Sequence, residues 1–285
     1  MVGFALAVLL AALHPIGPAE LPSELLIRRG DTLSLAKDCV WILIEPVRHS
    51  YGNMIPGGAP AGLGVDPLGY VSRTLGTDEH LIVPDEGVFY LGTSLPDSLP
   101  RDTAWFVEPP NLEFSGRMVQ IAVRTDDSYI GFLMELINTP FIMAPRLTPG
   151  GSHQADSRLG TDCAALAVYG RRRMGYRVEY LGPSGILRYL DSLESGQFSP
   201  GSPSGIELYM NGDGKAMPVG AGGLSPGDIL HFGSQVSVFY RDCGVSGLLD
   251  ADDLVIQSWF DGPHICVLRE NGFFPRPLRV YRWRE

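Results

Sequence analysis

Cys163 stands directly after Thr161-Asp162 and opens the run Cys163 to Tyr169, which continues into Arg171-Arg172-Arg173-Met174 and stops at Gly175. A capping residue in front and a glycine behind predict a helix that begins at the cysteine. The unpaired N–H groups and the positive dipole end at such a start favour a thiolate over a thiol. Cys163 is thereby placed to act as a nucleophile. The chemistry would be attack on a carbonyl, which needs a base on a neighbouring element and a polar group to orient that base. Against this stands the commoner fate of a lone cysteine, that of a small apolar residue packing a helix onto a sheet. Two features favour the nucleophile: glycine and polar residues precede it, placing the helix start at a loop, and histidines follow on predicted strands.

The elements that must hold Cys163 can be read on both sides of it. Asp126-Asp127-Ser128 caps a first helix over Tyr129 to Ile137, which Thr139-Pro140 ends. A polar loop with Pro145, Pro149, Gly150 and Gly151 leads to the Cys163 helix. Ile186, Leu187, Leu190 and Leu193 are spaced for a third helix over Ser184 to Leu193. Strand-like runs follow at 227–232, 235–240, 253–259, 265–268 and 278–281. Helices first and antiparallel strands after predict an α+β domain over 126–285. Upstream, Val40 to Ile44, Gly87 to Leu91, Ala104 to Val107 and Met118 to Val123 read as strands of a small β-rich domain over 25–125, and Gly52 to Gly69 reads as a long ordered loop.

The order of several motifs carries a resemblance. Asn138-Thr139-Pro140-Phe141, a glycine-rich loop, Thr161-Asp162-Cys163-Ala164-Ala165-Leu166 and Arg173-Met174-Gly175-Tyr176 resemble the T-P-Y, D-C-S-G-L and R-x-x-G run of the NlpC/P60 family. Ser225-Pro226-Gly227-Asp228-Ile229-Leu230-His231-Phe232 resembles its P-G-D-L-V-F-F strand, and Gln235-Val236-Ser237-Val238-Phe239-Tyr240 its H-V-G-I-Y strand. The match spans residues 128 to about 270. It implies a papain-like α+β fold, with N-terminal helices packed on an antiparallel sheet, and a cysteine peptidase of cell-wall peptides.

Carried over by position, Cys163 matches the nucleophile, Asp162 the residue before it, and Gln257 the third, orienting position. The base does not carry over. Gln235 stands where the family has its histidine, and an amide cannot take up a proton at useful pH. Ala164 and Ala165 replace the Ser and Gly after the cysteine, and Phe141 replaces the Tyr of T-P-Y. Two readings of different class follow. In one, a thiol hydrolase of peptide amide bonds recruits His231 as base, with His153 in the preceding loop second and His264 third; Asp162, Gln235, Phe141 and His153 then line the substrate. In the other, the domain no longer hydrolyses and serves as a cell-envelope peptide-binding or interaction module.

Composition narrows the remainder. A formal net charge of -10 disfavours nucleic acid, which is held by clustered Lys and Arg. Val2 to Leu13 is apolar and runs into Pro15, Gly17, Pro18 and Ala19 before Glu20, which reads as a signal peptide over residues 1–19 and an exported protein. The run is too short for a comfortable membrane span. Four scattered cysteines, Cys39, Cys163, Cys243 and Cys266, form no CxxC zinc pair, and in an exported protein Cys243 and Cys266 are the expected bridge. Gly223-Leu224-Ser225-Pro226-Gly227 fits G-x-S-x-G, but it leads into a strand where a serine nucleophile needs a helix. The Asp-rich stretches near 211 and 250 lack calcium-loop spacing. The expectation is a peptide substrate, with no metal and no cofactor.

Overall fold

The computed structural model describes residues 24–37, 39–47, 68–76, 80–83, 85–93, 104–107, 118–148, 150–200 and 206–285. The apolar run Val2 to Leu13, expected as a signal peptide, lies outside these residues, as does the 52–69 loop apart from Leu68 and Gly69, which open a strand.

Among the described residues eight strands precede the first helix: β1 (Glu24–Arg28), β2 (Thr32–Ser34), β3 (Trp41–Val47), β4 (Leu68–Gly76), β5 (His80–Ile82), β6 (Gly87–Gly92), β7 (Ala104–Val107) and β8 (Met118–Arg124). Six form a sheet in the order β1-β8-β6-β3-β4-β7, and β2 pairs with β5. Alternation explains its core. Leu25, Ile27, Leu43, Phe89, Leu91, Val119, Ile121 and Val123 share a cluster with Leu33 and Leu81 of the β2-β5 pair. Burial of every residue of β6 marks it as a central strand.

Among the described residues only two α-helices follow, α1 (Tyr129–Met134) and α2 (Cys163–Arg173). Ser128 caps α1 through the N–H of Gly131. The chain then continues as β9 (Leu190–Ser199), β10 (Leu208–Asn211), β11 (Ile229–His231), β12 (Val236–Arg241), β13 (Leu254–Trp259), β14 (Gly262–Val267) and β15 (Leu278–Trp283). They make a seven-stranded sheet in the order β10-β9-β15-β11-β12-β13-β14. On one face Ile229, Val236, Val238, Ile256 and Trp283 meet α2. On the other, Leu230, Phe239, Val255 and Val280 meet Tyr209, Met217, Leu249 and Phe273. Helix α2 is buried at every position from Cys163 to Arg171, and its alanines let it lie close to the sheet. At Gly170 it also touches α1, where a Cβ would sit 2.7 Å from the Tyr129 ring.

This architecture corrects the expected α+β papain-like fold. The described structure is mostly β, with fifteen strands in three sheets and helices of six and eleven residues. The first expected helix ends at Met134, after which the N–H groups of Leu136 and Ile137 reach back only three residues. The third helix is absent. Ile186–Tyr189 forms one 3-10 turn, and from Leu190 the chain is a strand paired with β15 on one side and β10 on the other. Ladder bonds on both edges outweigh a helical spacing only four leucine and isoleucine residues long. No disulfide joins any of the four cysteines, so the expected Cys243–Cys266 bridge is not formed and one argument for export goes with it.

Candidate functional site

The start of α2 is fixed from three directions. Asp162 caps the helix by accepting from the N–H of Ala165 at 2.7 Å, and its second oxygen accepts from the N–H of Ala144 at 3.1 Å. Thr161 pairs as a short parallel bridge with Phe141, through Thr161 N–H to Pro140 O and Ile142 N–H to Thr161 O, both 3.1 Å. Ser258 Oγ of β13 donates to Thr161 O at 2.9 Å. Gly262 brings the β13-β14 hairpin against the Thr139 carbonyl, so close that no Cβ fits there. The Thr-Pro-Phe segment and the Asp-Cys segment noted in the sequence are thus neighbours in space.

Cys163 is only 6% exposed. Burial, and next the Asp162 carboxylate, push its thiol up to about 12, against weaker opposing pulls from the N–H groups of Val236, Ala164 and Cys163 itself. The dipole at a helix start favours the thiolate by about 1 kcal/mol when exposed, and here desolvation exceeds it. At neutral pH the sulfur carries its proton. Burial likewise raises the Asp162 carboxyl despite its N–H partners.

No histidine is hydrogen-bonded to that sulfur among the described residues. His231 lies on the α2 face of the sheet, opposite Val236 and Arg279. Gly233 N–H donates to its Nδ1 at 3.2 Å, which assigns the ring proton to Nε2 and leaves no free lone pair to receive another. The Pro183 carbonyl favours that proton, yet falls outside hydrogen-bonding geometry, so Nε2 is buried without a partner. Burial lowers the affinity of the ring for a proton. His153 accepts from Ala155 N–H at 3.2 Å, bonds Pro145 O at 2.9 Å and stacks on Tyr180 with centroids 3.6 Å apart. Its role is to hold the loop. His264 sits opposite Gln257 in the β13-β14 register.

Gln257 faces away from α2. Its neighbours Ile256 and Ser258 point towards that helix, so alternation turns Gln257 to the other side, where it accepts from Ser237 Oγ and donates to Cys266 Sγ, each at 3.4 Å. It orients no imidazole by hydrogen bond. Gln235 directly precedes the Val236 N–H that acts on the Cys163 sulfur. The side chain of Gln235 is fully buried: Nε2 donates to Ser258 O at 3.3 Å, and Oε1 has no partner. Phe141 is a core ring against Trp259 and Phe260. Of the expected site residues, the structure assembles Cys163, Asp162, Phe141 and Gln235 around one helix start, and leaves His153 and Gln257 in separate hydrogen-bonded settings.

One polar centre escaped the sequence reading. Glu135 is fully buried and meets Arg124 at 3.0 Å, Arg158 at 3.0 Å and Arg173 at 3.0 and 3.1 Å, as well as the Tyr169 hydroxyl; Arg158 also pairs with Glu24. Burial raises its carboxyl, and Arg158 and Arg173 more than reverse this, holding it below the usual range. The signal was a single acid within the apolar run Phe132 to Ile137, since a buried charge requires partners. Among the described residues no group of three or more His, Cys, Asp and Glu is arranged to hold a metal ion, and no helix is long and apolar enough to cross a membrane.

In comparisons with known proteins the chain matches no family model, no curated protein and no solved structure.

Proposed function

We propose that residues 126–285 form a peptide-binding or interaction module of the cell envelope, built around a non-nucleophilic cysteine, in preference to a working thiol hydrolase. The observation that carries this reading is the Cys163 thiol, buried and held protonated with no imidazole bonded to it. A hydrolase must generate a thiolate or pass the thiol proton to a base. By the resemblance, the position that would supply that base is Gln235, whose amide bonds the Ser258 carbonyl instead, and the Nδ1 of His231 is already engaged. The peptide character of the ligand rests on the ordered motifs that resemble the NlpC/P60 family. The cell-envelope setting rests on those motifs and on the apolar segment from Val2 to Leu13.

The test incubates the full chain with muramyl peptides, following cleavage by mass spectrometry and binding by calorimetry. The expected result is binding without cleavage, unchanged in Cys163→Ala. Turnover that Cys163→Ala abolishes would overturn the reading. Gln235→His supplies the missing imidazole, and the proposal expects it to speed alkylation of Cys163 at pH 7 by about tenfold or more. An alkylation rate already that of a free low-pKa thiol in the parent chain would speak for the enzyme.

A further inference from the structure

A cavity of about 710 Å³ opens at the far end of α2 and is lined by Glu24 of β1 together with Arg158, Arg173, Tyr176, Arg177 and Tyr189. Cys163 and Arg173 are the first and last residues of an eleven-residue helix, so about 15 Å separates this cavity from the sulfur. The volume is that of a small-molecule site.

The charges around it are unevenly satisfied. Every carboxylate on its wall already has a cation: Glu24 pairs with Arg158, Asp156 holds Arg172 through both oxygens, and Glu179 lies 3.6 Å from Arg188. The cations are not all matched. Arg177 is exposed and has no ion pair or hydrogen bond among the described residues. Arg173 is fixed by Glu135 through Nε and Nη2, which leaves Nη1 without a protein partner on a side chain 25% exposed. Arg158, 3% exposed, has a buried Nε with no partner. A guanidinium clamped in this way presents its remaining donors in a fixed direction, which suits the planar or tetrahedral oxygens of an anion. The C-terminal carbonyls of α2 would repel an anion if bare, but Met174, Gly175 and Tyr176 N–H groups cap them at 2.9 to 3.1 Å.

We propose that this cavity is a binding site for a small molecule bearing a phosphate or carboxylate group, held by Arg173 and Arg177 with the Tyr176 and Tyr189 rings as walls. It is independent of the reading of Cys163. The test titrates the full chain with pyrophosphate and, separately, with citrate, by calorimetry at low salt. One saturable site is expected for at least one probe, weakened about tenfold or more in Arg177→Glu and unchanged in Arg241→Glu, an exposed arginine beside Tyr240 outside the cavity. Binding of pyrophosphate alone assigns a phosphate group, and of citrate alone a carboxylate. Since Arg177 makes no ion pair or hydrogen bond among the described residues, its replacement is expected to leave the fold intact, which the melting temperature checks. No saturable binding of either probe would overturn the site, as would equal weakening in the two variants, which indicates only a general charge effect.

Discussion

At the scale of single residues, the chemistry at Cys163 is decided by the competition between a helix start and burial. The structure separates two causes of the raised thiol, desolvation first and the Asp162 carboxylate second. Asp162→Asn tests the second by itself. Asparagine caps a helix about as well as aspartate, so the bond to Ala165 N–H is kept while the negative charge beside the sulfur is removed. The thiol pKa should fall, and alkylation of Cys163 at pH 8 to 9 should quicken with little change in melting temperature. The rate should still lie below that of an exposed cysteine, because the larger cause, burial, is untouched. An unchanged alkylation rate would show that the carboxylate does not act on the sulfur.

At the scale of elements, α2 shows how a packing contact reverses an intrinsic preference. Replacing glycine by alanine inside a helix normally stabilises by about 1 kcal/mol. At Gly170 the added Cβ meets the Tyr129 ring at 2.7 Å and a Leu133 methyl at 2.8 Å, and overpacking of that kind costs about 1–3 kcal/mol. Gly170→Ala is therefore expected to lower stability by up to about 2 kcal/mol in urea denaturation; a gain would mean that α1 slides away freely. The legibility of each element follows from what forms it. Helix α2 and the strands β11 to β15 were readable because a cap, a glycine stop and alternating apolar residues are local signals. The third expected helix failed because Leu190 to Ser199 takes its conformation from pairing on both edges, with the following strand β10 and with β15 far along the chain, and β1 escaped notice because it pairs in parallel with β8 across about a hundred residues. At the site, Cys163 and its cap were legible from types and spacing. The turn of Gln257 away from α2 was not, since it depends on the register that sets which face of the sheet a residue occupies, nor was the engagement of His231 Nδ1 by Gly233 N–H, which the turn between β11 and β12 sets.

At the scale of the whole molecule, Glu135 joins the two large sheets. Its carboxylate gathers Arg124 from the end of β8, Arg173 from the end of α2 and Arg158 from the intervening loop, while Arg158 carries the connection on to Glu24 of β1. Such a centre contributes little when compared with an apolar core, but removing one partner strands the others, at a cost of about 3–5 kcal/mol. Glu135→Gln leaves Arg173 without a carboxylate while Arg124 keeps Asp127 and Arg158 keeps Glu24, and a loss at the lower end of that range, about 3 kcal/mol, is expected at pH 7. The pH dependence gives the second signature. Because the folded carboxyl is held below its unfolded value, its stabilisation is present above the unfolded pKa and is lost as the pH falls through the folded one, below the ordinary carboxylate range. The parent chain should thus lose this contribution progressively from about pH 5 to about pH 2, whereas Glu135→Gln, already lacking it, should show a correspondingly shallower fall in melting temperature over that range. Parallel acid profiles for the two chains would mean that Glu135 is not the group linking proton uptake to the junction of the sheets.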